Sequence, residues 1–145
     1  MLFTSRFNSD EKLEISKAIG HAESGTSGEI RVHLSYAWLE TDFMGAATRK
    51  FTELKMDQTK HRNGVLLYVN PRKKKFALYG DQEIHKLVQQ DFWDKLAKNI
   101  TTAIQEKNPI HGIVLAVHAL GVALKEHYQH EEDDQNELSD EITES

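Results

Sequence analysis

Apolar positions along this chain switch between helical and strand spacing, and the switches mark its elements. Ile15, Ala18, Ile19 and Ala22 fall at i, i+3, i+4 and i+7, one stripe of a helix that Ser9 caps and whose first turn holds Asp10 and Glu11. Ser24-Gly25-Thr26-Ser27-Gly28 breaks it. Glu29 to Ser35 then alternates apolar and polar, a strand with one buried face. Tyr36 to Asp42 reads as a loop with an exposed Trp38. From Phe43 a second helix turns Phe43, Ala47, Phe51 and Leu54 inward and decays in the polar run Asp57 to Arg62.

Val65 to Val69 is apolar at every position, the pattern of a strand covered on both faces. A tight basic connection, Asn70-Pro71-Arg72-Lys73-Lys74, leads to a second strand-like run, Phe76 to Tyr79, which ends in Gly80-Asp81. Ile84, Leu87 and Val88 indicate a short helix. Asp91 opens a longer one with Trp93, Leu96, Ile100 and Ile104 on its inner side, and Asn108-Pro109 stops it. The last helix, Gly112 to Tyr128, carries Ile113, Val117, Leu120, Leu124 and Tyr128 inward, with Gly121 marking a close helix contact.

This order predicts an α/β fold. Strand, helix and strand over residues 29–70 form a βαβ unit with parallel strands and a right-handed crossover. The short connection after it makes the third strand antiparallel. The expected small mixed sheet has strand 64–70 at its centre, parallel to 29–35 and antiparallel to 75–80, with helices on both faces.

Composition narrows the chemistry. The chain has 145 residues, enough for one domain with a real core, and 39% apolar and 28% charged residues are globular values. It has no cysteine, which removes thiol catalysis and disulfides. No leader pattern opens the sequence and no run approaches the roughly 18 apolar residues of a span, so the expectation is a soluble, cytoplasmic protein. The net charge of −5 hides an asymmetry: residues 131–145 hold eight carboxylates and no Lys or Arg, leaving +3 on residues 1–130. The expected organisation is a mildly basic domain, 1–130, and an acidic disordered tail, 131–145.

The topology brings polar groups to one edge of the sheet, because Glu29 starts one strand, Asn63-Gly64 enters the next and Gly80-Asp81 ends the third. The Asp91-Phe92-Trp93-Asp94 helix start follows ten residues after Asp81. Carboxylates from several loops suit a hard cation, Ca²⁺ or Mg²⁺, so Asp81, Glu29, Asp91 and Asp94 are candidate metal ligands. Arg62 and Asn63 are candidates for stabilising phosphate or added charge. The plainer alternative has Asp81 and Asp91 capping helices and Arg62 pairing with one of them. At the opposite edge stand Ser35, Tyr36, Trp38, Glu40, Asp42 and Asn70, where ligands of open parallel sheets usually sit. Glu40 and Asp42 there are equally candidate metal ligands, against the plainer reading of a solvated loop.

Other features carry less. Arg72 to Lys75 lack an aromatic stacking platform, which points to a charged tip discouraging edge aggregation and away from nucleic acid. His127 and His130, beside Glu131, are spaced as a soft-metal pair. Neither a GxSxG elbow nor a phosphate-binding glycine loop is present.

The segments ESGTSGEIRV, RNGVLLYV, KFALYGDQEI followed by DFWDKL, and the final GIVLAVHALGVAL resemble, in this order, a TPM domain over residues 9 to 128. The resemblance implies a three-layer Rossmann-like α/β/α sandwich. It also implies recurrent divalent-cation binding, weak acid phosphatase activity in a plant thylakoid-lumen member, and accessory roles in photosystem repair or beside receptors. Glu29, Arg62 and Asp81 match the family's polar positions flanking the strands. The family's acidic N-terminal loop appears here only as Asn8-Ser9-Asp10. Many members also carry a signal peptide and a membrane segment, for which this sequence shows no pattern. The expectation is a monomeric TPM-like module that binds a divalent cation and serves as a non-catalytic accessory domain to a protein partner. The alternative is a weak metal-assisted phosphomonoesterase.

Overall fold

In a computed structural model, residues 6–106, 108–128 and 142–145 are described. Helix α1 spans Ser9–Glu23, and its cap is Asn8 rather than Ser9. The Asn8 side chain accepts from Glu11 N while Glu11 reaches back to Asn8 N, each at 2.9 Å. Strand β1 is Glu29–Leu34, and α2 is Phe43–Glu53, capped by Asp42. After a 3₁₀ turn at Met56–Gln58 come β2, Gly64–Asn70, and β3, Lys75–Gly80. Helices α3, Gln82–Leu87, and α4, Gln90–Gln105, follow. Helix α5, Pro109–His127, starts earlier than its apolar stripe: Pro109 has no N–H to lose in the first turn, and Asn108 caps it.

The strand order is β3-β2-β1-β4, with β2 parallel to β1 and antiparallel to β3. This is the mixed sheet expected, with the apolar strand inside it. The fourth strand departs from the expectation. The tail reading of 131–145 falls largely outside the described residues, but Ile142–Glu144 form β4, parallel to Val32–Leu34.

Helices α1, α4 and α5 cover one face, burying Ile15, Ile19, Ile100, Ile104, Ile113, Val117 and Leu120 against Ile30, Val32, Val65 and Leu67. Helix α2 and the 3₁₀ turn cover the other, through Ala46, Ala47, Phe51 and Met56 against Leu66, Tyr68 and Ala77. The molecule is therefore a three-layer α/β/α sandwich. Every residue of β1 is buried, not one face alone, because Arg31 and His33 lie under the second layer. At Gly121, α5 meets α1 so closely that a Cβ would stand 2.7 Å from that of Ala22, which is the contact its glycine suggested.

Helix α5 is long and apolar enough to cross a membrane by composition, with mean hydropathy 1.2. Its apolar side is the centre of the core, packed between α1 and α4. No other described helix meets that measure.

Candidate functional site

The hairpin register assembles the expected edge. Glu29 pairs with Gly64, Val65 pairs with Gly80, and Asp81 N donates to Gly64 O at 2.9 Å. Asp81 sits 3% exposed, and its carboxylate is gripped in two places by Arg62: Nε donates to Oδ2 at 2.7 Å and Nη2 to Oδ1 at 2.9 Å. Oδ1 also accepts from Gln82 N at 2.7 Å, making Asp81 the N-cap of α3. A carboxylate this buried needs such partners, since an uncompensated charge in the interior is costly.

Arg62 adopts φ 51°, a left-handed conformation rare outside glycine, and its O accepts from Glu83 N at 3.2 Å. This turn aims the guanidinium at Asp81. The hydrogen bond to Asp81 raises the guanidinium's pKa, and the charges of Asp81, Asp57 and Glu83 add to that. Asp57 and Glu83 therefore belong to this edge, although the sequence reading passed over both. Their signal was proximity to Arg62 and Asp81 along the chain. Glu23 was also missed: its Oε2 accepts from Ile30 N at 2.6 Å and ties the end of α1 to β1.

Asn63 is buried beside the pair, with Nδ2 3.5 Å from Ser27 Oγ. Glu29 is 4% exposed at the start of β1. Tyr128 closes the same end from α5. Burial raises its phenol pKa, and the charges of Glu83 and Asp81 push it in the same direction.

Asp91 and Asp94 are exposed on α4. Helix α4 begins at Gln90 rather than Asp91, and Asp94 accepts from Gln90 Nε2 at 2.9 Å. Asp94 lines a groove of about 520 Å³ between α2, β3 and α4, together with Phe43, Phe76, Leu78, His85 and Trp93. Among the described residues, no group of three or more His, Asp or Glu is arranged to hold a metal ion. With Arg62 in place, both oxygens of Asp81 are engaged, and the arrangement does not fit a six- to eight-oxygen cation shell.

The opposite end is closed differently. Glu40 accepts from Tyr68 Oη at 2.5 Å and from Asn70 Nδ2 at 3.0 Å, while its backbone O accepts from Lys73 Nζ at 2.6 Å. Arg72 Nη1 donates to Tyr36 O at 3.0 Å, and its guanidinium lies 5.6 Å from the centre of the Trp38 ring. The basic connection thus pins the 36–42 loop, a role beyond that of a charged tip. Burial, followed by the bond to Glu40, pushes the Tyr68 phenol up to about 12. Asp42 is the cap of α2, accepting from Gly45 N at 2.9 Å. Of the histidine pair, His130 and its neighbour Glu131 lie outside the described residues.

A mixed sheet sandwiched between helices, with a buried Asp81 paired to a half-exposed Arg62 where the hairpin returns, defines an α/β/α domain of Rossmann-like type. The model of the TPM domain matches residues 3–123, and the chain belongs to that family. Among solved structures, the chain is similar to the BA42 protein of the psychrophilic bacterium Bizionia argentinensis, at 38% identity over 97% of each chain and a TM-score of 0.88. It also resembles the N-terminal domain of the cg2496 protein of Corynebacterium glutamicum in fold, at 12% identity over 83% of this chain and 76% of that one, with a TM-score of 0.64. No curated protein matches the chain.

Proposed function

We propose that this TPM domain is a non-catalytic binding module whose site is the Arg62–Asp81 edge, and that a divalent cation, Ca²⁺ or Mg²⁺, binds there by taking over Arg62's place as counter-charge. One observation supports this reading. The anionic member of the pair is held inside, with its side chain 5% exposed, while the cationic member is 37% exposed. The negative charge is thus a fixed feature of the fold and its partner is the exchangeable part. Asp57 and Glu83, whose charges already act on Arg62, would supply additional oxygen donors, and Glu29 heads the adjoining strand. Among the described residues, no nucleophile or general acid stands beside the pair in this reading, which favours binding over ester hydrolysis.

The exchange reading makes an unusual demand on mutants. Arg62→Ala should strengthen cation binding about tenfold by removing the competitor, whereas Asp81→Asn should abolish it. Titration of both variants with CaCl₂ and MgCl₂, followed through backbone amide shifts at residues 29, 63 and 81, measures this. Cation binding that weakens in Arg62→Ala, or survives Asp81→Asn, removes the site from this edge. Phosphate-ester turnover by purified protein that disappears with Asp81→Asn would instead make the domain an enzyme.

A further inference from the structure

The outer edge of β1 is covered by residues from far along the chain. Ile142–Glu144 run parallel to Val32–Leu34, and Ser145 N donates to Leu34 O at 3.0 Å. Ile142 packs against the main core. The Thr143 hydroxyl lies 2.6 Å from His33 Nδ1 and the Ser145 hydroxyl 2.8 Å from His33 Nε2. Between them Glu144 accepts from Tyr36 Oη at 2.9 Å and from Lys12 Nζ at 3.0 Å. Strand alternation explains the division: positions 142 and 144 face the α1 layer, while 143 and 145 face His33.

The receiving groups belong to the body of the domain. His33 is 1% exposed and stacks on Tyr68 with ring centroids 5.2 Å apart, so its two nitrogens need partners that the strand provides. Arg6 stands 4.5 Å above the Tyr36 ring, adding positive charge where Glu144 enters. The TPM match ends at residue 123, before this strand. The matched body alone would leave β1 with unpaired backbone groups, the kind of edge that recruits another strand.

We propose that the outer edge of β1, with Lys12, His33 and Tyr36, is a recognition groove for an extended segment of a partner protein with the pattern aliphatic–hydroxyl–acid–hydroxyl, and that residues 142–145 occupy it as a tethered stand-in. The mode is parallel strand addition, in which backbone bonds supply affinity and alternate side chains supply selectivity. The acid is selected by Lys12 and the Tyr36 hydroxyl, and the flanking hydroxyls by the two ring nitrogens of one imidazole. Tethering sets a high threshold. A segment joined to its own groove competes at an effective concentration on the order of millimolar, so a partner must exceed that or meet a released tail.

The test uses the full chain with its stand-in released, by Ile142→Asp combined with Thr143→Pro. The probe is a fluorescent peptide with the sequence of residues 136–145, NELSDEITES. The released variant should bind it at least about tenfold more tightly than the parent chain, whose groove is filled. Amide shifts should map to residues 32–36, and changing the peptide's Glu144 counterpart to Lys should abolish binding. Circular dichroism and the amide spectrum establish that the variant is folded. A folded released variant that ignores the peptide overturns the proposal, as does equal binding of a scrambled peptide. Concentration-dependent dimers of the parent chain without peptide binding also overturn it, in favour of strand exchange between copies. A second release variant, Glu144→Lys alone, keeps the core contact of Ile142 and should open the groove more weakly.

Discussion

The two ends of the central hairpin both hold a carboxylate, and they hold it by different physics. At one end buried Asp81 is met by the charge of a half-exposed Arg62. At the other, Glu40 is met by neutral donors, the hydroxyl of Tyr68 and the amide of Asn70, which are 4% and 0% exposed. An ion pair with one wet member is weak and replaceable, because solvent or another cation can take that member's place. A network of buried neutral donors has no such substitute, since losing the acceptor leaves them unsatisfied. The difference separates an end suited to exchange from an end built to stay closed, even though sequence topology alone ranked both as candidate sites.

Breaking the closed end should give the largest loss. Glu40→Ala takes the acceptor from the Tyr68 hydroxyl and from one N–H of Asn70, whose Nδ2 keeps its bond to Ala37 O at 2.7 Å, and should cost about 2–4 kcal/mol in urea unfolding. A loss below about 1 kcal/mol would show that the two ends are not so different. The same end also contains a titration. His33, stacked on Tyr68, is pushed down to about 4 by burial and by the charge of Lys50, against the opposing charges of Glu40, Glu53 and Glu144. Its depressed pKa means the folded protein binds fewer protons here than the unfolded chain. This contribution is therefore complete above pH 6.5 and lost as the pH falls toward about 4, on the order of 3 kcal/mol in all. His33→Gln should flatten the stability–pH profile over that window, and an unchanged slope would assign it to other groups. The smallest effect should come from Asp42→Ala, which removes a helix cap next to the closed end without touching the Glu40 network. Thermal unfolding should register about 1 kcal/mol.

Much of this architecture was readable in the chain because it depends on short-range periodicity. The all-apolar run Val65–Val69 had to lie inside a sheet, the short basic connection forced the antiparallel return, and the βαβ order made β1 and β2 parallel. Those three facts also bring Glu29, Asn63 and Asp81 to one edge without any coordinates. Helix starts shifted by a residue or more because caps compete: Asn8 prevailed over Ser9 through a reciprocal bond with Glu11, a choice composition cannot make.

Other features required the tertiary structure. Asp81 was a candidate ligand by type, but only the left-handed turn at Arg62 decided that a guanidinium would claim both its oxygens. Asp91 and Asp94 follow Asp81 closely in sequence, yet α4 carries them on its exposed side. The acidic terminal stretch read as solvated, and its last residues nevertheless complete the sheet, since Ile142, Thr143 and Glu144 each find a complementary partner on β1 or its neighbours. Sequence determined the layers and the shared edge, because periodicity and connection length act locally. Pairings between distant side chains decided which carboxylate is locked, which is exchangeable and what covers β1, because such contacts exist only once the layers have packed.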